Sequence, residues 1–255
     1  MLIKLLVMHH LCDDNDLPGM ERFFWRYHAP EVMQFAPKMT RYVNFRAVPP
    51  PRGAEEYGYY NYHVHENCQI VDDGPPSSRG LLNFTAEHGP MEVCVAVLPL
   101  QPTEDFFGAD LRYDEKTILR WVMFFRYPDG VSVEEGEKWF LDVHAKEVAQ
   151  QPGLIRFFSY RSLPGGFPPP QPGQRPFTHR NTRLHPHWHR VSELWYENNN
   201  GWRKSIVESP PKYTRPAWAT WDKYPFVKPR AEFASTFILE RPTDDYLRDL
   251  RPFYF

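Results

Sequence analysis

Phe23-Phe24-Trp25-Arg26-Tyr27-His28-Ala29-Pro30-Glu31-Val32 and Trp139-Phe140-Leu141-Asp142-Val143-His144-Ala145-Lys146-Glu147-Val148 are two versions of one segment, with a shared His-Ala-x-Glu-Val ending. The likeness runs upstream without a gap, Leu2 to Phe24 against Ile118 to Phe140. It resumes downstream with Pro37 to Arg46 against Pro152 to Arg161. Each half also closes alike, Pro102-Thr103-Glu104-Asp105-Phe106 against Pro242-Thr243-Asp244-Asp245-Tyr246. A repeat of this length implies a duplicated fold. Two units are expected, residues 1–115 and 116–255, with a seam near Tyr113 to Thr117.

Hydrophobic patterning gives each unit the same element order. Ile3 to His9 and Leu119 to Phe125 are short apolar runs stopped by polar or Pro-Asp-Gly segments, which read as buried strands. Helices follow, roughly Leu17 to Met33 and Val133 to Gln150. Within them Phe24, His28 and Val32, and Phe140, His144 and Val148, recur at i, i+4 and i+8. Both histidines therefore belong to the apolar stripe that faces the sheet. Arg41 to Ala47 and Arg156 to Arg161 read as second strands, and Val93 to Leu100 and Phe233 to Leu239 as last strands. Trp188 to Tyr196 is a further strand and Trp202 to Val207 a short helix, while the first unit's equivalent strand, Tyr57 to Val71, looks degenerate. The prolines, 27 in all, cluster in Pro49-Pro50-Pro51, Pro75-Pro76 and Gly165 to Pro176, which read as loops lying over a pocket.

Composition removes several functional classes. A net charge of −2 and a pI near 6.6, with the two signs interspersed, offer no attraction to nucleic acid or an anionic membrane. Cys12, Cys68 and Cys94 are too far apart for a disulfide framework or a thiolate zinc site. No apolar run approaches 18 residues and no leader is evident, so a cytoplasmic protein is expected. A Gly-rich phosphate loop and a serine nucleophile elbow are both missing.

The strand, the helix ending in His-Ala-Pro-Glu, the Arg190-Val191-Ser192-Glu193-Leu194-Trp195-Tyr196 run and the late Arg241-Pro242-Thr243-Asp244-Asp245 resemble the EthD-like family of ferredoxin-like proteins. The resemblance implies an α+β fold of the dimeric α+β barrel type, with antiparallel sheets. The tandem copy implies that one chain forms the whole barrel from two ferredoxin-like repeats, and two chains could further pair as a homodimer through their outer surfaces. That superfamily includes cofactor-free lyases, cyclases and isomerases as well as haem enzymes, so the reaction has to be argued from residues.

Histidines lead the candidates. His28 and His144 sit at the position where the family pattern carries a histidine, and an imidazole facing an apolar cavity can exchange a proton near neutral pH. His65 and His189 belong to the His63-Val64-His65 and His185-Pro186-His187-Trp188-His189 runs, where alternate residues share a strand face. Such runs could also present nitrogen ligands to a metal together with Glu66 or Glu193. Tyr62, Tyr160, Trp121, Arg126, Trp195 and His10 are candidates to bind the substrate by stacking and hydrogen bonding. The leading expectation is a cofactor-independent lyase or isomerase using histidine acid/base chemistry on a small aromatic or polyketide-like molecule. The alternatives are a metal- or haem-dependent oxidoreductase on the same barrel and a non-catalytic small-molecule binding protein.

Overall fold

A computed structural model describes residues 2–11, 13–35, 39–57, 63–71, 91–107, 118–164, 181–183 and 187–250. In chain order the first half contains β1 (Leu2–Leu11), α1 (Leu17–Phe23), a π-helical turn (Phe24–His28), α2 (Ala29–Phe35), β2 (Met39–Arg46), β3 (His63–Val71), β4 (Met91–Pro99) and β5 (Glu104–Asp105). The second contains β6 (Leu119–Phe125), α3 (Val133–Trp139), a π-helical turn (Phe140–His144), α4 (Ala145–Val148), β7 (Leu154–Arg161), β8 (Asn181–Arg183) and β9 (Arg190–Tyr196). After these come α5 (Asn199–Arg203), a third π turn (Lys204–Glu208), β10 (Phe233–Leu239), β11 (Asp244–Asp245) and α6 (Tyr246–Leu250). The seam at Tyr113 to Thr117 and the loops at Pro75-Pro76 and Gly165 to Pro176 lie outside the described residues.

Two antiparallel sheets carry the fold, with strand orders β11-β2-β3-β1-β4-β8 and β10-β6-β9-β7-β5. Apart from β8, which runs parallel to the start of β4, each is the ferredoxin-like order with a short strand added at one edge. The added strand comes from the opposite half. β5, which follows β4, pairs with β7, and β11, which follows β10, pairs with β2. Matching bonds fasten both crossings. The Thr103 N–H donates to the Ser159 carbonyl at 2.9 Å while the Arg161 N–H donates to Thr103 Oγ1 at 2.8 Å. Thr243 repeats this with the Asn44 carbonyl at 2.8 Å and the Arg46 N–H at 2.9 Å. The Val48 N–H to Phe237 carbonyl and Leu163 N–H to Val97 carbonyl bonds, both 2.8 Å, tie the remaining edges. The chain is thus an α+β protein in which two tandem ferredoxin-like repeats form one intrachain barrel.

Local chemistry explains the elements. In β6, Leu119 to Phe125 is buried throughout, helices covering one face and the other sheet covering the opposite one. Ser132 caps α3 by accepting from the Glu135 N–H at 3.1 Å. Both helices widen by one residue on reaching their histidine, with the Ala29 N–H bonded to the Phe24 carbonyl and the Ala145 N–H to the Phe140 carbonyl. Both second strands carry a register shift at the same place, Met39/Arg41 and Leu154/Arg156.

Two expectations need correction. β3 is not degenerate: it pairs along its length with β1 and β2. Glu66, Asn67 and Gln69 hid its alternation, because a central strand is held by ladder bonds on both sides and not only by apolar residues. His187 and His189 are not on a strand, since β9 starts at Arg190, while His185 lies outside the described residues.

With eight main strands the barrel is narrow enough for side chains to fill it. Leu6, Met8, Phe45, Cys94, Phe124, Trp188, Val191, Trp195 and Ile238 meet there. One end of this interior is ionic. Glu193, fully buried, accepts from Arg120 Nη2 at 2.5 Å and from Arg120 Nε at 3.0 Å, and lies 3.8 Å from Lys4 Nζ. Burial, reinforced by Arg120 and Arg41 against the opposing pull of Glu193, pushes the Lys4 pKa down to about 8. Removing the anion leaves two buried cations facing each other, so Glu193→Gln is expected to cost about 3–5 kcal/mol in denaturant unfolding; a loss below 1 kcal/mol would show that this cluster is not a keystone of the barrel.

Candidate active site

Where β4 crosses into β5, a cavity of about 500 Å³ opens beside the second sheet. Thr103 from the crossing, Glu137 from α3, Arg161 from the end of β7, and His187 and His189 from the approach to β9 line it, with Pro99 and Leu163 among its apolar walls. The volume suits a small aromatic molecule.

His189 is held from every side. Its N–H donates to the Phe125 carbonyl at 2.8 Å, and its carbonyl accepts from the Ser162 N–H at 2.9 Å. Its Nδ1 accepts from the Tyr127 N–H at 2.8 Å, and its ring stacks on the Tyr127 ring at 4.9 Å. An imidazole whose Nδ1 accepts a hydrogen bond carries its proton on Nε2 when neutral. Burial, then His187 and Arg126, lower its pKa to about 4 against the opposing effect of Glu137. His187 packs edge-on at 5.3 Å, and burial lowers its pKa too. At neutral pH the cavity therefore presents two uncharged imidazoles, one of them fixed as a donor.

A buried ion network braces this wall. Arg190, fully buried, donates through Nε and Nη2 to Glu137, both at 2.7 Å. It also donates to Glu104 at 2.5 and 3.1 Å and to Ser159 Oγ at 3.1 Å, with its guanidinium 4.4 Å from the centre of the Phe140 ring. Burial opposes the charge on Glu137, but hydrogen bonds from Arg190 and from the Tyr127 hydroxyl, the latter at 2.6 Å, outweigh it and hold the pKa below the usual carboxylate range. Arg161 lies 3.8 Å from Glu137 and is 57% exposed, so its charge remains available at the cavity mouth. Gly136 makes room for this arrangement, since a Cβ there would sit 2.4 Å from the Tyr127 ring.

The other candidates are dispersed. His144 is 1% exposed and enclosed by Phe125, Trp139, Phe140 and Tyr224, whose ring stacks on it at 5.6 Å. Its Nε2 has no hydrogen-bond partner among the described residues. Burial, then Arg190, drive its pKa down to about 3. His28 is 2% exposed against Phe23 and Phe24, beneath the first sheet. The two helix histidines thus share the predicted orientation but occupy separate aromatic packings. Trp121 is buried on the helix side of the second sheet, stacked on Phe237. Tyr160 and Trp195 point into the barrel, where Tyr160 accepts from Lys4 at 3.0 Å and Trp195 donates to Glu193 at 3.3 Å. Arg126 pairs with Asp129 near His189. His10, the penultimate residue of β1, stands opposite His63 and Glu92, and the His65 backbone lies opposite Met8 and Phe45. Tyr62 falls outside the described residues. Among the described residues no three His, Cys, Asp or Glu side chains converge as a metal site, and no helix is long and apolar enough to cross a membrane.

Residues 1–97 match the family model of the chalcone isomerase N-terminal domain. The match covers the strands and helices of the first repeat through most of β4. It names a different family from the EthD-like resemblance. No curated protein matches the chain. Similar solved structures include a protein provisionally described as a monooxygenase from Lactobacillus acidophilus NCFM, 9% identical with a TM-score of 0.35, covering 93% of this chain and 92% of that one. Another, provisionally described as a chlorite dismutase, is 10% identical with a TM-score of 0.35 and covers 95% of each chain. A third, provisionally described as a monooxygenase from Fusobacterium nucleatum subsp. nucleatum ATCC 25586, is 10% identical with a TM-score of 0.33, covering 80% of this chain and 79% of that one. Likeness at this level transfers no chemistry.

Glu137, Arg161, Thr103 and Arg190 are not among the residues that the sequence marks as candidates. For three of them the signal was the repeat itself, which sets Glu21 against Glu137, Arg46 against Arg161 and Thr243 against Thr103; Arg190 has Val64 at its register and no such signal.

A histidine kept neutral by burial makes folding weaken in acid, because the unfolded chain takes up a proton near pH 6.5 that the native state refuses. For His144 the window runs from about 6.5 down to about 3. Stability is lost as pH falls through it, by about 1.4 kcal/mol per pH unit from this one group. His144→Phe is expected to flatten the stability–pH curve by that slope between about pH 6 and 4, measured by urea unfolding at stepped pH.

Proposed function

We propose that the protein is a cofactor-independent isomerase or lyase that moves a proton within a small aromatic or polyketide-like carbonyl compound. The observation that carries this reading is the convergence of two neutral imidazoles and the Arg161 guanidinium in one cavity. The match of residues 1–97 to the chalcone isomerase N-terminal domain supports the reaction class.

His187, uncharged at neutral pH, takes a proton from an acidic C–H or O–H of the bound substrate. The electron pair left behind reaches the carbonyl oxygen directly from a C–H, or, from an O–H, by the freed phenolate oxygen bonding to the β-carbon of the conjugated ketone to give the enolate. The His189 Nε2–H and Arg161 stabilise that oxyanion without giving up a proton, the role a neutral imidazole and a fixed cation perform well in a sheltered site. The His187 imidazolium then returns the proton to a different carbon, which completes an isomerisation, or to a departing oxygen, which completes an elimination. Glu137 and Arg190 position this apparatus, and the enclosed helix histidines contribute to packing.

Hydroxylated chalcones and related aryl ketones are the first substrates to assay, following loss of the conjugated chromophore. His187→Ala and His189→Ala are each expected to lower kcat/KM by about 10²–10⁴-fold, with circular dichroism unchanged, whereas His144→Phe retains activity within a few-fold. Wild-type rates in both cavity variants would refute the assignment, and collapse of activity in His144→Phe with intact folding would move the chemistry to the helix histidine.

A further inference from the structure

The two repeats treat one position in opposite ways. In the second, the Arg190 guanidinium is gripped by Glu137, Glu104 and Ser159 over the face of Phe140. The repeat alignment gives these partners counterparts in Glu21, Asp244, Asn44 and Phe24. All four line one cavity of about 220 Å³ in the first repeat, together with Trp25, Arg46, Thr243 and Tyr246. The residue at the register of Arg190 is Val64, which stands opposite Arg46 and His9 as Arg190 stands opposite Arg161 and Phe125. The first repeat therefore keeps the partners of a guanidinium and replaces the arginine with a valine.

Two further observations fit a missing cation. Asn44 is only 6% exposed; its Nδ2 donates to Asp244 at 3.2 Å, but its Oδ1 has no hydrogen-bond partner among the described residues. A buried acceptor without a donor is costly and marks a place where a donor belongs. The charge balance agrees. Glu137 and Glu104 face Arg190 and Arg161 in the second repeat, whereas among the described residues that line the first-repeat cavity Arg46 is the one basic side chain beside Glu21 and Asp244, and it pairs with Glu21 at the surface. Within that lining one negative charge is left over.

We propose that this cavity binds a small guanidinium compound, with its planar N–H fork on Asp244, Glu21 and Asn44 Oδ1 and its face against Phe24. Bidentate geometry to carboxylates and stacking on an aromatic face are what a guanidinium offers and a compact ammonium does not. The site is separate from the histidine cavity and does not depend on the reaction assigned there.

The test is a titration of methylguanidinium chloride into the full-length protein, followed by amide chemical shifts at constant ionic strength, with methylammonium chloride as the comparison. Saturable shifts are expected at β2, β11 and the π turn of the first repeat, with affinity at least ten-fold above that for methylammonium. Asp244→Asn and Asn44→Leu should each weaken binding at least ten-fold, and Val64→Arg, which supplies the guanidinium from the chain itself, should abolish it. No saturable shift in the wild type, equal affinity for the two cations, or binding unchanged in Asp244→Asn and Asn44→Leu would each overturn the proposal.

Discussion

The reciprocal crossing of the two repeats is the constraint on which the rest of the molecule depends. A ferredoxin-like sheet has two free edges, and an exposed edge presents unpaired backbone groups. Here β4 runs on into β5 at the edge of β7, while β10 runs on into β11 at the edge of β2. A threonine accepts the same arginine N–H at each crossing. Closure converts two half-covered sheets into a filled barrel and leaves a cavity beside each crossing. Both cavities thus have the same origin, and their differences reflect side chains substituted on a common frame.

Those substitutions are mainly electrostatic. The second repeat buries a complete ion network around Arg190, whose many hydrogen bonds offset the desolvation that would otherwise make such a charge prohibitive. That fixed structure backs His189 and leaves Arg161 at the opening. The first repeat keeps counterparts of the anions and of Arg161 but has Val64 at the register of Arg190. On the readings proposed above, one wall of the common frame serves a developing negative charge and the other a positive group.

Much of the architecture was legible in the chain because the repeat can be read without knowing the fold. Strand and helix order, the burial of both helix histidines and the likeness of the closing Pro-Thr-acid-acid segments follow from apolar spacing and direct comparison. The chemistry was harder to see. His28 and His144 had the right residue type at the right spacing, yet spacing cannot report that Trp139, Phe140 and Tyr224 close around an imidazole. Tyr160 and Trp195 alternate onto the barrel interior, where they serve Lys4 and Glu193. β3 was disguised by polar residues in a strand whose ladder is satisfied on both sides. Glu137 and Arg161, far apart in sequence, become neighbours only when α3 packs beside the end of β7, and His187 and His189 join them only because the chain bends before Arg190.

The central claim is that the cavity histidines are uncharged and that the fixed one is a donor. Nitrogen-15 NMR of histidine-labelled protein reads this directly through the shifts of Nδ1 and Nε2 across a pH titration. The account predicts that His189 shows an unprotonated Nδ1 and a protonated Nε2 at pH 7 and stays neutral down to about pH 4. A His189 that becomes imidazolium near pH 6.5, or that carries its proton on Nδ1, would contradict it.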